Sequence, residues 1–581
     1  MSPTISFESN AGSTDFMDRI KPAKFQGTLW GGHFLMTNIS EEAHLAQEKE
    51  SREHEVLKEE VRRMVTTDGI NGAVDDVSVQ VITQKLHLID VIQRLGLAYH
   101  FETEIEEALE KVYVHGGESF IEKDSNIDLY HASLWFRLLR QQGFRVSPDG
   151  FKSFMDGEGK FKELLASDEQ GLLSLYEAAH VAFNGEVILD EAMEFATKNL
   201  ELMLQNHKGS SLTKKHVEFS LNLPVWKCVP RTLARHSIDV YSQDENACHD
   251  QTIILRLAKL DFNMVQKFHK QELHQLSLWW ASLETTTKFT YAKDRLAECY
   301  FWINGAYFEP KYQLARIILA KIGCVVTLLD DTYDNYGNYK ELELLTQAIQ
   351  RLDIGGLELL SDKLKEVYQI VIDLFEDIEQ ELARSGLSTL GVDYSKGQFK
   401  KMCWAFLAEV RWRTTGQVPA LEEYLMDANV TSSYPFHCTA SFLGMEAEAE
   451  AVTKEAYEWV TNETNKMVIA ASLICRVQND IVSHKFERKR KHAASAVECY
   501  MKEHDVSQED AVDVLWEEIS KSWKTIIKEC EKPTQFSTVV TDRVLNFARV
   551  ISVMYGNGDA FTHPHLLKGH IASLFANPVP L

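Results

Sequence analysis

The densest chemistry in the sequence sits in five consecutive residues, Asp330-Asp331-Thr332-Tyr333-Asp334. They follow an apolar helical pattern from Tyr312 to Leu329 and precede the breaker Gly337. Asp330 and Asp334 stand four apart, so an α-helix projects both carboxylates from one face. Three acids at the end of a buried helix repel one another unless cations neutralise them. Hard oxygen ligands of this kind suit Mg²⁺, which binds through one or two carboxylates plus substrate phosphates. A solvated acidic helix end would carry the same residues, so the motif alone does not decide. A second row does: Asn479, Ser483 and Glu487 follow the apolar run Met467 to Cys475 and recur at i, i+4 and i+8. On a helix this stacks an amide oxygen, a hydroxyl and a carboxylate in one line. Two such rows on separate helices, facing across a bundle, would hold a multi-metal diphosphate site between them.

The elements that must position these rows are helices. Apolar residues three and four apart, with charges between them, mark Glu104 to Val114, Ile253 to Phe268 and Ala496 to Leu515 as helical. No alternating strand pattern of useful length appears, and 12 prolines and 29 glycines in 581 residues leave room for long helices and short loops. The expected fold class is all-α. Turn-rich stretches at Thr66 to Asp76, Asp156 to Lys160 and His207 to His216 read as loops, and Tyr241 to Asp250 reads as a domain boundary. The expected organisation is an N-terminal segment over 1–29, a helical domain over 30–243 and a larger helical domain over 244–581. The N-terminal half lacks the D-x-D-D cluster that protonating an alkene would need, since Ala73 stands at the first position before Val74-Asp75-Asp76, and it reads as structural.

A formal charge of −25 opposes binding to nucleic acid or to an anionic membrane surface. Nine cysteines lie singly between Cys228 and Cys530 without a C-x-x-C pair, as expected of reduced intracellular thiols. No apolar stretch reads as long enough for a membrane span. The first twenty residues carry Glu8, Asp15 and Asp18, one arginine and no apolar core, which suits neither a secretory signal nor a transit peptide. A cytoplasmic monomer is expected. Zinc-protease, Walker and dinucleotide motifs are absent, and the 21 histidines show no zinc-like spacing.

With both oxygen-rich rows in place, the chain resembles the plant terpene synthase family, and within it the cytosolic sesquiterpene synthases. The likeness runs from Phe25-Gln26-Gly27-Thr28-Leu29-Trp30-Gly31 to His570-Ile571-Ala572-Ser573-Leu574, through Gln93-Arg94-Leu95-Gly96, Arg137-Leu138-Leu139-Arg140 and Glu298-Cys299-Tyr300-Phe301-Trp302. It implies a relic N-terminal α-barrel-like domain and a C-terminal class I terpenoid synthase helical bundle. By the same resemblance, Asp330, Asp331 and Asp334 with Asn479, Ser483 and Glu487 bind three Mg²⁺ ions, with Mn²⁺ as a substitute. Arg476 contacts the diphosphate, and its guanidinium fork matches phosphate oxygens. Lys293 and Arg295 stand where the family carries R-x-R, and the lysine implies weaker, less directional diphosphate capture. Trp302, Tyr555 and Phe561 match the aromatic lining of the carbocation pocket, and Asp559 opens the run Asp559-Ala560-Phe561-Thr562, where the family has tyrosine in place of Phe561. Thr431-Ser432-Ser433-Tyr434-Pro435 matches a helix break whose free carbonyls face the cation. The basic run Arg488 to Lys491 matches a loop closing over the diphosphate. The implied reaction is Mg²⁺-dependent ionisation of farnesyl diphosphate and cyclisation of the cation. Geranyl diphosphate as substrate, chain-elongating prenyl transfer, and a non-enzymatic helical binding protein with a relic metal site stay open as alternatives.

Overall fold

A computed structural model of the chain describes residue 25 and residues 27–36, 42–67, 78–116, 120–123, 127–206, 211–245, 248–445, 448, 450–490 and 493–581, the side chains of 36, 42–47, 122–123 and 487–490 apart. Ala73 to Asp76, the first twenty residues, and the side chains of Glu487 and of the basic run after it therefore lie outside the described residues. The protein is all-α, and the one extended pairing among the described residues is an isolated bridge between Met155 and Phe161.

Three expectations shift. The segment Ala496 to Leu515 is two helices, Ala496–His504 and Gln508–Glu529, because Asp505 turns left-handed at φ +54 and Ser507 caps a fresh start by accepting the Asp510 N–H. The loop placed over His207 to His216 ends early, since a helix begins at Ser211. The third concerns membrane-span length: Pro310–Asn335 is long and apolar enough to cross a membrane by length and composition, with 72% of its apolar window buried inside the protein. A helix apolar on all sides must be covered on all sides, and this one carries Asp330, Asp331 and Asp334 at its C-terminal end.

Burying that helix takes a specific anchor. Arg316, on its first turns and fully buried, forks onto Glu272 at 2.6 and 2.8 Å and onto the carbonyls of Tyr307 and Glu309. Glu272 lies on the long helix His249–Ser282 and also accepts from the Tyr300 hydroxyl at 2.8 Å. Every donor and acceptor in this buried set is satisfied, the condition under which such a pair can be kept in a core.

The helix His249–Ser282 also ties the two halves of the chain together. Arg256 and Lys267 pair with Glu53 and Glu50 of the N-terminal helix Glu42–Thr66. Deeper in the junction, Asp261 receives the Tyr99 hydroxyl at 2.5 Å and His100 Nε2 at 2.8 Å, with His54 Nε2 at 3.4 Å and Arg231 at 3.5 Å. His54, His100 and Asp261 thus offer three ligand atoms within 4.8 Å of one another, correcting the expectation that no histidines cluster. Residues 54, 100 and 261 share no sequence spacing that reveals this. Arg231 already supplies positive charge to the carboxylate.

Candidate active site

Six helices and the segments that join them wall a deep cavity, Leu421–Thr431 contributing Thr431 and Tyr434–Ala440 contributing Tyr434 and His437. The aspartate helix Gln313–Asn335 contributes Asp330 and Asp334 at one end and Gly323, Val326 and Thr327 further in. The helix Lys466–Arg490 contributes Cys475, Arg476 and Asn479, Leu296–Ala306 contributes Cys299 and Trp302, and Leu390–Thr415 contributes Glu409. The loop after Thr538–Met554 brings in Tyr555, Asp559 and Phe561.

Asp330 and Asp334 point into the cavity from one helix face, as their spacing requires. Desolvation in the wall, and then the charge of Asp334, push the Asp330 pKa up to about 7, with Lys293 opposing. Asp334 also accepts from Arg413 at 3.1 Å. Asp331 behaves differently from its neighbours. It is fully buried, does not line the cavity, and is gripped by Lys293 through the backbone N–H and the ammonium, both at 2.6 Å, with the Asn335 amide at 3.2 Å. The expectation that Asp331 faces the metal site is corrected for this conformation: one turn cannot aim adjacent residues the same way.

Lys293 lies beside it. Its ammonium lines the cavity, but it holds Asp331 and lies 4.0 Å from Asp330, so its partner is the aspartate motif. Burial opposes its charge, yet Asp331 and Asp330 outweigh that and hold its pKa above the ordinary lysine range. The ring of Phe25, from the N-terminal segment, lies 4.7 Å from the same ammonium. Arg295 is corrected too. It is 1% exposed, absent from the cavity wall, and spends its guanidinium on the carbonyls of Phe561, Thr562 and Asp294. It shapes the loop behind the wall.

On the opposite side, Asn479 lines the cavity one turn beyond Arg476, whose guanidinium reaches Asn479, Thr431 and Asp480 at 3.5, 3.3 and 3.7 Å. Burial works against the charge of Arg476, but Tyr424, Asp480 and Glu409 hold it firmly protonated. Ser483 lies a turn further on, 2% exposed, and its hydroxyl has no hydrogen-bond partner among the described residues. Asp480 faces away and serves structure, accepting from the Tyr424 hydroxyl and the Ala496 N–H.

These donors fit a divalent cation. Asp330, Asp334, Asn479 and Ser483 are all hard oxygen ligands, Ser483 has an orphaned hydroxyl, and the desolvation and Asp334 charge that raise the Asp330 pKa are what a cation would offset.

The aromatic residues meet around Trp302, whose ring packs edge-on to Tyr434, Tyr555 and Phe561 at 6.3, 5.9 and 5.6 Å. Its indole N–H donates to the Tyr434 hydroxyl, which itself donates to the Phe547 carbonyl. Asp559 accepts the N–H groups of Phe561 and Thr562 and so folds the loop that presents Phe561. The helix break is present: Leu421–Thr431 stops, Ser433 turns left-handed at φ +63, and Tyr434–Ala440 begins with Pro435 at a position whose missing N–H costs nothing. Its carbonyls are less free than expected. Ser432 O receives the Ser433 hydroxyl, and Ser433 O receives both the backbone N–H and the ring of His437.

Sequence reasoning missed Glu409, Arg413 and His437, and read Tyr434 only as part of the helix break. Glu409 and Arg413 stand four apart on one helix, a pairing signal, but their partners Thr431 and Asp334 are set by tertiary contact.

Comparison with known proteins adds independent findings. Residues 281–525 match the model of the terpene synthase family metal binding domain, and 29–221 match the terpene synthase N-terminal domain. The chain is 43% identical to (−)-germacrene D synthase of Vitis vinifera and 42% identical to alpha-humulene synthase of Humulus lupulus, over 96% of both partners in each case. Among solved structures, isoprene synthase from grey poplar leaves, in complex with three Mg²⁺ ions and dimethylallyl-S-thiolodiphosphate, superposes with a TM-score of 0.82 at 32% identity, covering 91% of this chain and 97% of that one.

Proposed function

The chain belongs to the terpene synthase family, and from that premise we propose that it is a sesquiterpene synthase, a lyase that ionises farnesyl diphosphate and cyclises the resulting cation. The supporting observation is that one cavity joins the oxygen donors Asp330, Asp334 and Asn479 and the guanidinium of Arg476 to an aromatic group built on Trp302. The named activities of the germacrene D and humulene relatives point the same way.

Asp330, Asp334, Asn479 and Ser483, with Glu487, are the residues that would hold Mg²⁺, three ions by analogy with the poplar enzyme. When bound, the ions supply charge stabilisation for a departing diphosphate. Arg476 orients the same group through its fork, and the Thr431–Glu409 contact keeps that arginine in place. The isoprenyl chain extends inward past Trp302, where ring surfaces stabilise positive charge and offer no good nucleophile to trap it. Excluding water from this space keeps the cation from hydrolysis. We further propose that the protein acts as a cytosolic monomer, in keeping with its formal net charge of −25. Light scattering and a fluorescent fusion test those two points.

The deciding experiment offers purified protein farnesyl or geranyl diphosphate, with and without Mg²⁺, and reads products by gas chromatography with mass detection. Metal-dependent C15 hydrocarbons or alcohols are expected. Predominant C10 output would overturn the substrate, and products formed only with added isopentenyl diphosphate would point to chain elongation.

A further inference from the structure

His437 has no part in the scheme above, yet it is the only histidine among the described residues lining the cavity. It sits on the short helix after the break. Its Nδ1 lies 3.0 Å from the Ser433 carbonyl, and a carbonyl can only accept, so Nδ1 carries the proton. In the neutral ring, Nε2 is then a bare lone pair. No hydrogen bond to Nε2 occurs among the described residues. The ring is held by Phe436 and Phe547, with centroids at 5.6 and 6.1 Å.

Gly323 lies beside that lone pair. A β-carbon on Gly323 would meet His437 Nε2 at 3.8 Å, Cys299 Cβ at 3.9 Å and Ile303 Cγ1 at 4.0 Å, so the bare glycine keeps space open before the nitrogen. Gly323 is seven residues before Asp330 on one helix, which puts this spot roughly 10 Å inward from the oxygen-rich end. The cavity's carboxylates are engaged elsewhere: Asp330 and Asp334 belong to the other end, Glu409 accepts from the Thr431 hydroxyl, and Asp559 accepts from the N–H groups of Phe561 and Thr562.

Resting on the terpene synthase reading, we propose that His437 Nε2 is the base that ends the reaction. A C–H bond next to the final cationic carbon breaks, its electron pair becomes the new C=C bond, and the proton moves to Nε2, leaving an olefin and an imidazolium. Diphosphate departs with its own electron pair from the earlier ionisation, so charge balances. Burial pushes the His437 pKa down to about 4, against the pull of the Ser433 carbonyl. The ring is therefore neutral before each turnover and gives the proton up readily once the cavity opens to water.

The test reads product partition. With farnesyl diphosphate and Mg²⁺, His437→Ala should change the ratio of the main olefin to its double-bond isomers by about ten-fold or more. Imidazole in the buffer should restore the original ratio, whereas pyrrole, a ring of the same size without a basic lone pair, should not. His437→Phe, which keeps a ring and no lone pair, should show the altered ratio as well. Unchanged partition in either variant, or equal restoration by pyrrole, overturns the proposal. So does loss of diphosphate release in both folded variants, which would assign His437 to ionisation. Diphosphate release by the unaltered protein judges the underlying reading separately: if there is none from any isoprenyl diphosphate, that reading falls, and if there is, only the role of His437 is at stake.

Discussion

Asp330 and Lys293 show how one acidic motif divides its labour. Asp330 holds a proton up to about pH 7 because it shares a desolvated wall with Asp334. A cation binding there must displace that proton. Mg²⁺ affinity is therefore expected to rise as pH climbs from about 5 towards 7 and to level off above it, with proton release in the same window. Calorimetry in buffers of different ionisation enthalpy checks this, and a pH-independent affinity would remove Asp330 from the ligand set. Lys293 works on the neighbouring carboxylate. Asp331 is wholly buried, and Lys293→Met would strand its charge, so a loss of about 3–5 kcal/mol in urea unfolding is expected. Lys293→Arg, which keeps the charge, should lose much less. Equal losses would mean that the ammonium contributes packing alone.

At the scale of elements, the helix Leu296–Ala306 carries an unresolved charge beside the site. Glu298 is completely buried, neither carboxylate oxygen has a hydrogen-bond partner among the described residues, and desolvation raises its pKa to about 7. Because the folded pKa lies above the unfolded value, the folded state keeps a proton that the unfolded chain has already lost. Stability should thus fall as pH rises from about 4.5 to 7 and stay at the lower level above that, by about 3 kcal/mol in total. Glu298→Gln should flatten this slope in urea titrations run across the window. A slope identical to that of the unaltered protein would show that Glu298 ionises freely. The break at Ser433 is strained in a comparable way, since a left-handed serine costs about 1–2 kcal/mol. That strain aims Thr431, Ser432 and Ser433 at the cavity, and it positions the carbonyl that fixes the His437 tautomer.

For the whole molecule, the N-terminal half is joined to the catalytic half by the buried group on Asp261. Arg231, 4% exposed, faces that carboxylate, and Tyr99, His100 and His54 converge on it from other elements. Although burial opposes its charge, the hydrogen bond from His100, with His54 and Arg231 close by, holds the Asp261 pKa far below the usual carboxylate range. Its stabilisation is present above the ordinary aspartate value and is lost only in strong acid. Asp261→Asn should cost about 3–5 kcal/mol by leaving Arg231 buried without a counter-charge. A shift below about 1 kcal/mol in chemical denaturation would show that the halves do not depend on this contact.

The helical class and the shared face of Asp330 and Asp334 were legible in the sequence, because helical spacing is a local property: residues four apart share a face wherever the helix sits. Asp330 with Asp334, and Arg476 with Asn479, accordingly reach the cavity as their spacing requires. What spacing could not reveal was direction and partner. Asp331 turns to Lys293, Arg295 binds the loop carbonyls of Phe561 and Thr562, and Asp334 meets Arg413 from another helix. His437 became a cavity residue only because Gly323 and the Ser433 break arrive beside it. Each of these depends on contacts between residues tens or hundreds of positions apart, whose geometry exists only once the helices have packed.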